Sequence, residues 1–543
     1  MHGSQAPGGR PEVRLAAVLL TGLLVWLLSA PLSAQQPRTG GTLTFIVSAE
    51  PPSFDAHREA TFALIHPARP HYNLLVKFDP LSYPKVVPDL AESWTISPDG
   101  TTYTFKIRRG VRFHDGSVLT SRDIKASYEK IIFPKGDVVS VRAAAYTMVG
   151  SVEAPDPATV VFRLKWKSPS FLQNVASPWN WIYNADILER DPHWYERNIM
   201  GTGPFKFVEY VRGSHWVGAR NEDYWVKGRP YLDGYRAVFI GNAAAQVNAV
   251  KSGQALVEFR GFSPPQRDDI VRALGSGATV QESGWLCNNT VVFNSKRKPF
   301  DDARFRKALS LAIDRWGGST ALSQIAIVGP VGGLMRPEGP FATPQADLEK
   351  LAGYGHDITA ARAEAKKLLA EAGVPEGFEF NLLNRNVEMP YRYVAVFLID
   401  QWRQIGLKVN HVVKETGPYL ADERAGNFDA AVDFNCDFYD DPDLQLVKFL
   451  SVEMPNGAVN ALNYGGYIDR TLDRLYDEQS KSEDATRRMT LVRQFEKRLL
   501  DDKVWQIYVL WWKRIIPHSS KLHGYKVGPS HYLEDLQDVW ISE

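Results

Sequence analysis

The segment Pro88-Asp-Leu-Ala-Glu-Ser-Trp-Thr-Ile-Ser-Pro-Asp-Gly-Thr-Thr-Tyr-Thr-Phe-Lys-Ile-Arg-Arg-Gly-Val-Arg-Phe-His-Asp-Gly-Ser-Val-Leu-Thr-Ser-Arg-Asp123 decides how the chain is read. Trp94 and Ile96 lead into Ser97-Pro98-Asp99-Gly100, where Pro and Gly supply the fixed and positive φ values of a tight reversal. Tyr103, Phe105 and Ile107 then alternate with Thr102, Thr104, Lys106 and Arg108, the period of a strand with one buried face. His114-Asp115-Gly116 predicts a second turn. Thr120 stands where a helix N-cap belongs, with Asp123 three residues on and Ile124, Tyr128 and Ile131 sharing one face.

This order of strand, turn and helix resembles the signature region of the family 5 extracellular solute-binding proteins, which include the dipeptide, oligopeptide and nickel receptors of ABC importers. Further blocks carry the same resemblance. Gly201-Thr202-Gly203-Pro204-Phe205 is similar to a family turn, and Arg220-Asn221-Glu222-Asp223-Tyr224-Trp225 to the segment that follows it. Asn294 to Asp302 introduces a helix whose Phe305, Ala308, Leu309, Ala312 and Ile313 share a face, with an Asp pair at its positive end. A second helix is predicted over about 359–372, with Gly373 as its stop.

The resemblance implies an α/β, bilobal periplasmic-binding-protein fold with an extra inserted subdomain and mixed sheets flanked by helices. It places a discontinuous first lobe at about 39–75, 196–285 and 510–543, the inserted subdomain at 76–195 and the second lobe at 286–509. It also implies a receptor that captures a peptide or peptide-like solute between its lobes and delivers it to the transmembrane subunits of an ABC permease, which cytoplasmic ATPase subunits drive. An oligosaccharide or other non-peptide solute, or a sensing role, is the alternative within the same fold.

Compartment follows from the N-terminus. Arg10 and Arg14 precede an apolar run from Leu15 to Leu28, and Ser29 to Gln35 reads as a cleavage region, so residues 1–34 are expected to be a signal peptide cut after Ala34. The run is shorter than the ~20 residues that span a bilayer, and no cysteine follows it for lipid attachment. A soluble periplasmic protein is expected. Lys and Arg number 63 against 62 Asp and Glu, and removing Arg10, Arg14 and Glu12 with the leader leaves formal neutrality. Nucleic acid would call for a basic excess and is not indicated. A monomer is expected.

No G-x-S-x-G elbow, Walker loop, H-E-x-x-H or dinucleotide fingerprint is present in the sequence. An enzyme is therefore not expected, nor a cofactor. Asp437, Asp440, Asp441 and Asp443 lack the spacing and central Gly of a calcium loop, so no metal site is expected.

Two regions bear on the ligand. Peptide-binding relatives place an Asp four residues before the Pro equivalent to Pro442, where it pairs with the peptide's α-ammonium. Here that position is Phe438, and the Trp that relatives carry seven residues before the Pro is Asn435. A register shifted by one would put Asp437 in the Asp position. Dipeptide receptors also have an Arg that clamps the ligand carboxylate, and counting back from Trp402 that position falls on Arg385. A structurally paired Arg is the competing reading. Together these imply a ligand with an acidic group and no free α-amine, with Trp285 and Tyr439 as aromatics near the cleft; Trp179 and Trp181 are weaker candidates.

Cys287 and Cys436 are the two cysteines of an exported chain. Some oligopeptide-binding relatives bridge similarly placed residues, which implies a disulfide here. Two free buried thiols are the alternative.

Overall fold

The computed structural model describes residues 1–3, 36–80, 82–436, 438–455, 457, 459–530 and 535–543. The apolar run and cleavage region of the leader lie outside the described residues, as does Asp437. Met1–Arg38 and Thr39–Glu543 are separate units; the following concerns the second. No helix among the described residues is long and apolar enough to cross a membrane.

The segment 88–123 folds by the logic of its residues. Ala91–Ile96 and Thr102–Ile107 form an antiparallel pair, joined by a turn in which the Gly100 amide donates to the Ser97 carbonyl at 2.8 Å. Gly100 takes φ +70°, a backbone that glycine adopts without strain. Tyr103, Phe105 and Ile107 are buried on one face. The helix Ser121–Ile132 starts at Thr120, whose amide donates to Asp123 Oδ2 at 2.8 Å, and it buries Ile124, Tyr128 and Ile131. With Val149–Asp156 and Thr159–Leu164 the pair completes a four-stranded antiparallel sheet.

Two five-stranded mixed sheets make the lobes. In the first, Thr42–Val47 runs parallel to Gly234–Phe239 and to the short edge strand Val257–Glu258, and His215–Arg220 and Phe205–Val211 follow antiparallel. In the second, Glu379–Arg385 lies parallel to Lys408–Lys414 and Ala430–Cys436, and Ala278–Phe293 and Gln506–Ser519 close the order antiparallel. Helices pack on both. In the second lobe, for example, Trp402 is fully buried and donates its indole N–H to the Leu309 carbonyl at 3.0 Å.

The lobes are joined by the longest strands of the fold. Ala278–Phe293 and Gln506–Ser519 pair along nearly their whole length, about 50 Å at ~3.4 Å per residue. Their register breaks between Gly284 and Asn288. On one side of the break they belong to the second sheet. On the other side they reach the first: the Phe262 amide donates to Ile515 O at 2.9 Å and the Ser519 amide to Leu256 O at 2.9 Å.

Candidate solute-binding cavity

A cavity of about 80 Å³ lies where three parts of the chain meet. Phe62 comes from the helix Phe62–Ala68 beside the first sheet, Arg142 and Trp179 from the part that carries the four-stranded sheet, and Phe434, Phe438 and Lys448 from the second lobe. At roughly 15 Å³ per water by this measure, the space holds about half a dozen waters, room for one small side chain or end group. The wall is mostly apolar.

Local chemistry explains why each side chain is where it is. Thr61 caps the helix Phe62–Ala68, its Oγ1 accepting from the Ala63 amide at 3.3 Å, which sets Phe62 at the first helical position. Cys287 and Cys436 stand directly opposite each other on adjacent strands and are joined by a disulfide, S–S 2.09 Å. The bridge anchors the strand end that precedes Phe438. Phe438 follows, buried, with its carbonyl accepting from the Tyr83 hydroxyl at 2.7 Å.

The acidic residues after Phe438 serve the loop itself. Asp441 receives a two-pronged grip from Arg488, Nη2 to Oδ1 at 2.7 Å and Nη1 to Oδ2 at 3.1 Å. Asp443 accepts from Arg488, from Gln479 and from the Ser170 hydroxyl. Burial, reinforced by the neighbouring Asp441 carboxylate, pushes Asp443 up to about 6. Asp440 is paired with Arg336 at 3.0 Å. Arginines thus occupy these carboxylates, and no cluster suited to a metal occurs among the described residues.

The two cations in the wall are also engaged. Arg142 donates to the carbonyls of Ala56 and Glu59, at 2.5 and 3.0 Å, and lies 4.7 Å from the Trp179 ring centre. Lys448 Nζ meets Asp433 Oδ2 at 2.5 Å and the Phe434 carbonyl. Among the described residues the wall contains no carboxylate.

The residues picked from sequence take varied places. Phe438 and Asn435 line the cavity. Asn435 is tied down by its own amide, within 3.1–3.2 Å of Gln445 and the Tyr508 hydroxyl. Trp285 stands behind the wall, stacked on Phe62 at 5.1 Å. Tyr439 is half-buried against Phe78, ring centres 6.0 Å apart. Arg385 is fully buried beside Phe434, its guanidinium 5.6 Å from that ring. Asp437 lies outside the described residues. Trp179 enters the wall and Trp181 does not.

Arg142, Phe434 and Lys448 were not singled out from sequence. Lys448 had a usable signal, a lone cation within the apolar run from Leu446 to Leu450.

Comparison with known proteins matches residues 85–454 to the bacterial extracellular solute-binding proteins, family 5. The chain is similar to the di/tripeptide-binding protein 1 of Pseudomonas aeruginosa, 26% identical, covering 95% of this chain and 98% of that one. It is 27% identical to the oligopeptide-binding protein AppA of Bacillus subtilis, over 95% and 94% of the two chains. Among solved structures it is similar to the periplasmic binding protein AgaA of A. tumefacien R10 in complex with agropinic acid. That likeness has a TM-score of 0.80 and 26% identity over 93% of this chain and 99% of the other.

Proposed function

The chain belongs to the family 5 bacterial extracellular solute-binding proteins, receptors rather than enzymes, and from that premise we propose that it captures a peptide-like solute that carries a carboxylate but presents no α-ammonium at Phe438. It works outside the cytoplasm as the binding component of an ABC importer. Residues 1–34 are read as a leader removed on export, and the receptor as a monomer that meets a permease driven by cytoplasmic ATPase subunits.

The observation that carries the ligand reading is the wall around Phe438. An ammonium group placed there would leave water for phenyl rings, beside Arg142 and Lys448, in a wall without a carboxylate among the described residues. Such a cation goes uncompensated at a cost of several kcal/mol. An acylated or otherwise blocked amine pays no such penalty. Arg385 supports the acidic end, since among the described residues its buried guanidinium donates to hydroxyls and to no carboxylate.

Capture works by closure. Contacts made to both lobes at once exist only in the closed form, so a solute that bridges them shifts the balance toward the form that a permease can sense. The paired strands Ala278–Phe293 and Gln506–Ser519, with their break between Gly284 and Asn288, are the natural place for the lobes to flex.

The test is a thermal-shift series with the mature protein and three probes: leucyl-leucine, N-acetyl-leucyl-leucine and the amide of the latter. A probe that binds the folded form at a hundred times its Kd stabilises by about 2.7 kcal/mol. The acetylated acid is expected to raise Tm, and the free dipeptide and the amide to have little effect. Equal stabilisation by the free dipeptide would refute the reading. The likeness to AgaA, whose structure holds agropinic acid, favours a non-peptide acid as the second reading, and that compound belongs in the same series.

A further inference from the structure

Two arginines from different lobes are buried near the same aromatic ring. Arg260 follows the edge strand Val257–Glu258 of the first sheet, and Arg385 ends the strand Glu379–Arg385 of the second. Their guanidinium carbons lie 5.8 and 5.1 Å from the centre of one ring, Tyr391. Arg260 also covers Phe62 at 5.4 Å and Arg385 covers Phe434 at 5.6 Å. Both phenylalanines belong to the cavity wall.

Neither arginine is more than 3% exposed, and among the described residues neither is paired with a carboxylate. Arg260 donates one hydrogen bond, Nη1 to the Met389 carbonyl at 3.3 Å. Arg385 reaches the hydroxyls of Tyr391, Thr61 and Thr416 at 3.1–3.3 Å. The Nε of each lacks a partner. The carboxyls nearby are committed elsewhere: Asp433 to Lys448, Glu258 to the Gly261 amide and Ser48 hydroxyl, and Glu423 to the Tyr419 hydroxyl. Tyr391 offers no anion either, because burial raises its pKa.

Buried cations without counter-ions are unfavourable, and two of them together add mutual repulsion. Burial lowers the pKa of Arg260, and the charge of Arg385 adds to this against the opposing pull of Tyr391 and Glu258. Because the two groups sit on different lobes, they pay this penalty only when the lobes meet. An oxyanion between them would turn repulsion into two charge-assisted contacts.

We propose that Arg260 and Arg385 form a two-arginine site for an oxyanionic group of the captured solute, and that this anion is what permits the lobes to close. The site rests on the solute-receptor reading and extends it. Arg385 alone would favour an acidic ligand; Arg260 makes closure depend on one. A neutral solute that fills the apolar cavity would leave the two cations buried around Tyr391 without a counter-ion, so the receptor discriminates by charge at the closing step and not only by fit.

Closure can be followed without knowing the solute, by small-angle scattering from the full mature chain in an anion-poor buffer. The wild type is expected to be open, with a larger radius of gyration, and to contract when succinate or inorganic phosphate is added. A response to one and not the other assigns the site to carboxylate or to phosphate. Arg260→Gln removes the repulsion and is expected to be contracted with no anion present. Arg260→Lys keeps the charge and is expected to stay open until anion is added. Should Arg260→Gln fail to fold, as judged by circular dichroism, Arg385→Gln carries the same expectation. Identical radii for wild type and the charge-neutral variant in every buffer would overturn the proposal. That result would leave the receptor reading standing if the probe series above still finds a ligand.

Discussion

The Tyr83 hydroxyl donates to the Phe438 carbonyl at 2.7 Å, tying the segment ahead of the four-stranded sheet to the loop that leaves Cys436. The Ser170 hydroxyl makes a parallel contact to Asp443 a few residues further along. Both ends of this loop are thus held by residues from another part of the chain. These contacts position Phe438 in the wall of the cavity.

Tyr83→Phe deletes one such contact while keeping the ring that packs on Phe78. A hydrogen bond of this kind contributes about 1 kcal/mol net, or roughly a fivefold change in an equilibrium constant. Ligand affinity is expected to fall by about that factor, mainly through faster release, because the bond is made after closure. Stopped-flow release kinetics would read this directly. A change confined to the association rate would argue against a latch.

Phe438→Asp puts a carboxylate where the resemblance to peptide-binding receptors implies one. Calorimetric titration is expected to show leucyl-leucine binding to this variant and not to the wild type. Phe438→Ala should lose about 3 kcal/mol of stability as a large-to-small core change, without gaining dipeptide affinity. Dipeptide binding by the alanine variant equal to that of the aspartate variant would sink the assignment of this position.

Much of this was legible in the chain because its signals are local. The alternation of Tyr103, Phe105 and Ile107 has period two, and burial on one face enforces it. Thr120 and Asp123 form a cap within three residues of each other. Phe438 and Asn435 were reachable by counting from Pro442. Arg260 was not legible: a basic residue after a two-residue strand has no local pattern, and its meaning depends on Arg385, brought near only by the packing of separate sheets. Trp285 and Tyr439 show the converse. Their sequence positions lie close to the cavity, but their side chains turn to pack on Phe62 and Phe78.

Reduction of Cys287–Cys436 provides a third test. The bridge closes a loop of 149 residues, for which chain entropy sets an upper figure of about 5 kcal/mol and common experience 2 to 4. Cys436→Ala with Cys287→Ala is expected to lower the free energy of urea unfolding by an amount in that range, seen as a lower midpoint. Because Cys436 lies two residues from Phe438, ligand affinity should fall as well. Unchanged affinity would mean that the loop is held by Arg488 and Tyr83 alone.

The last prediction concerns pH. Glu258 is buried, its Oε2 accepting from the Gly261 amide at 2.5 Å and its Oε1 from the Ser48 hydroxyl at 3.3 Å. Burial pushes it from an ordinary 4.5 up to about 7, against the smaller opposing pull of the Gly261 amide and the Arg260 charge. Between those values the folded protein holds a proton that the unfolded chain has released, so stability falls as pH rises. The favourable contribution is fully present below pH 4.5 and lost as pH passes about 7. At ~1.4 kcal/mol per unit it amounts to at most about 3.5 kcal/mol. Glu258→Gln removes the titration. Urea unfolding of both proteins across this range should show wild-type stability declining relative to the variant as pH rises. Parallel curves would mean that Glu258 is ionised throughout, with Arg260 serving as its counter-ion, and would weaken the case for Arg260 as a free anion ligand.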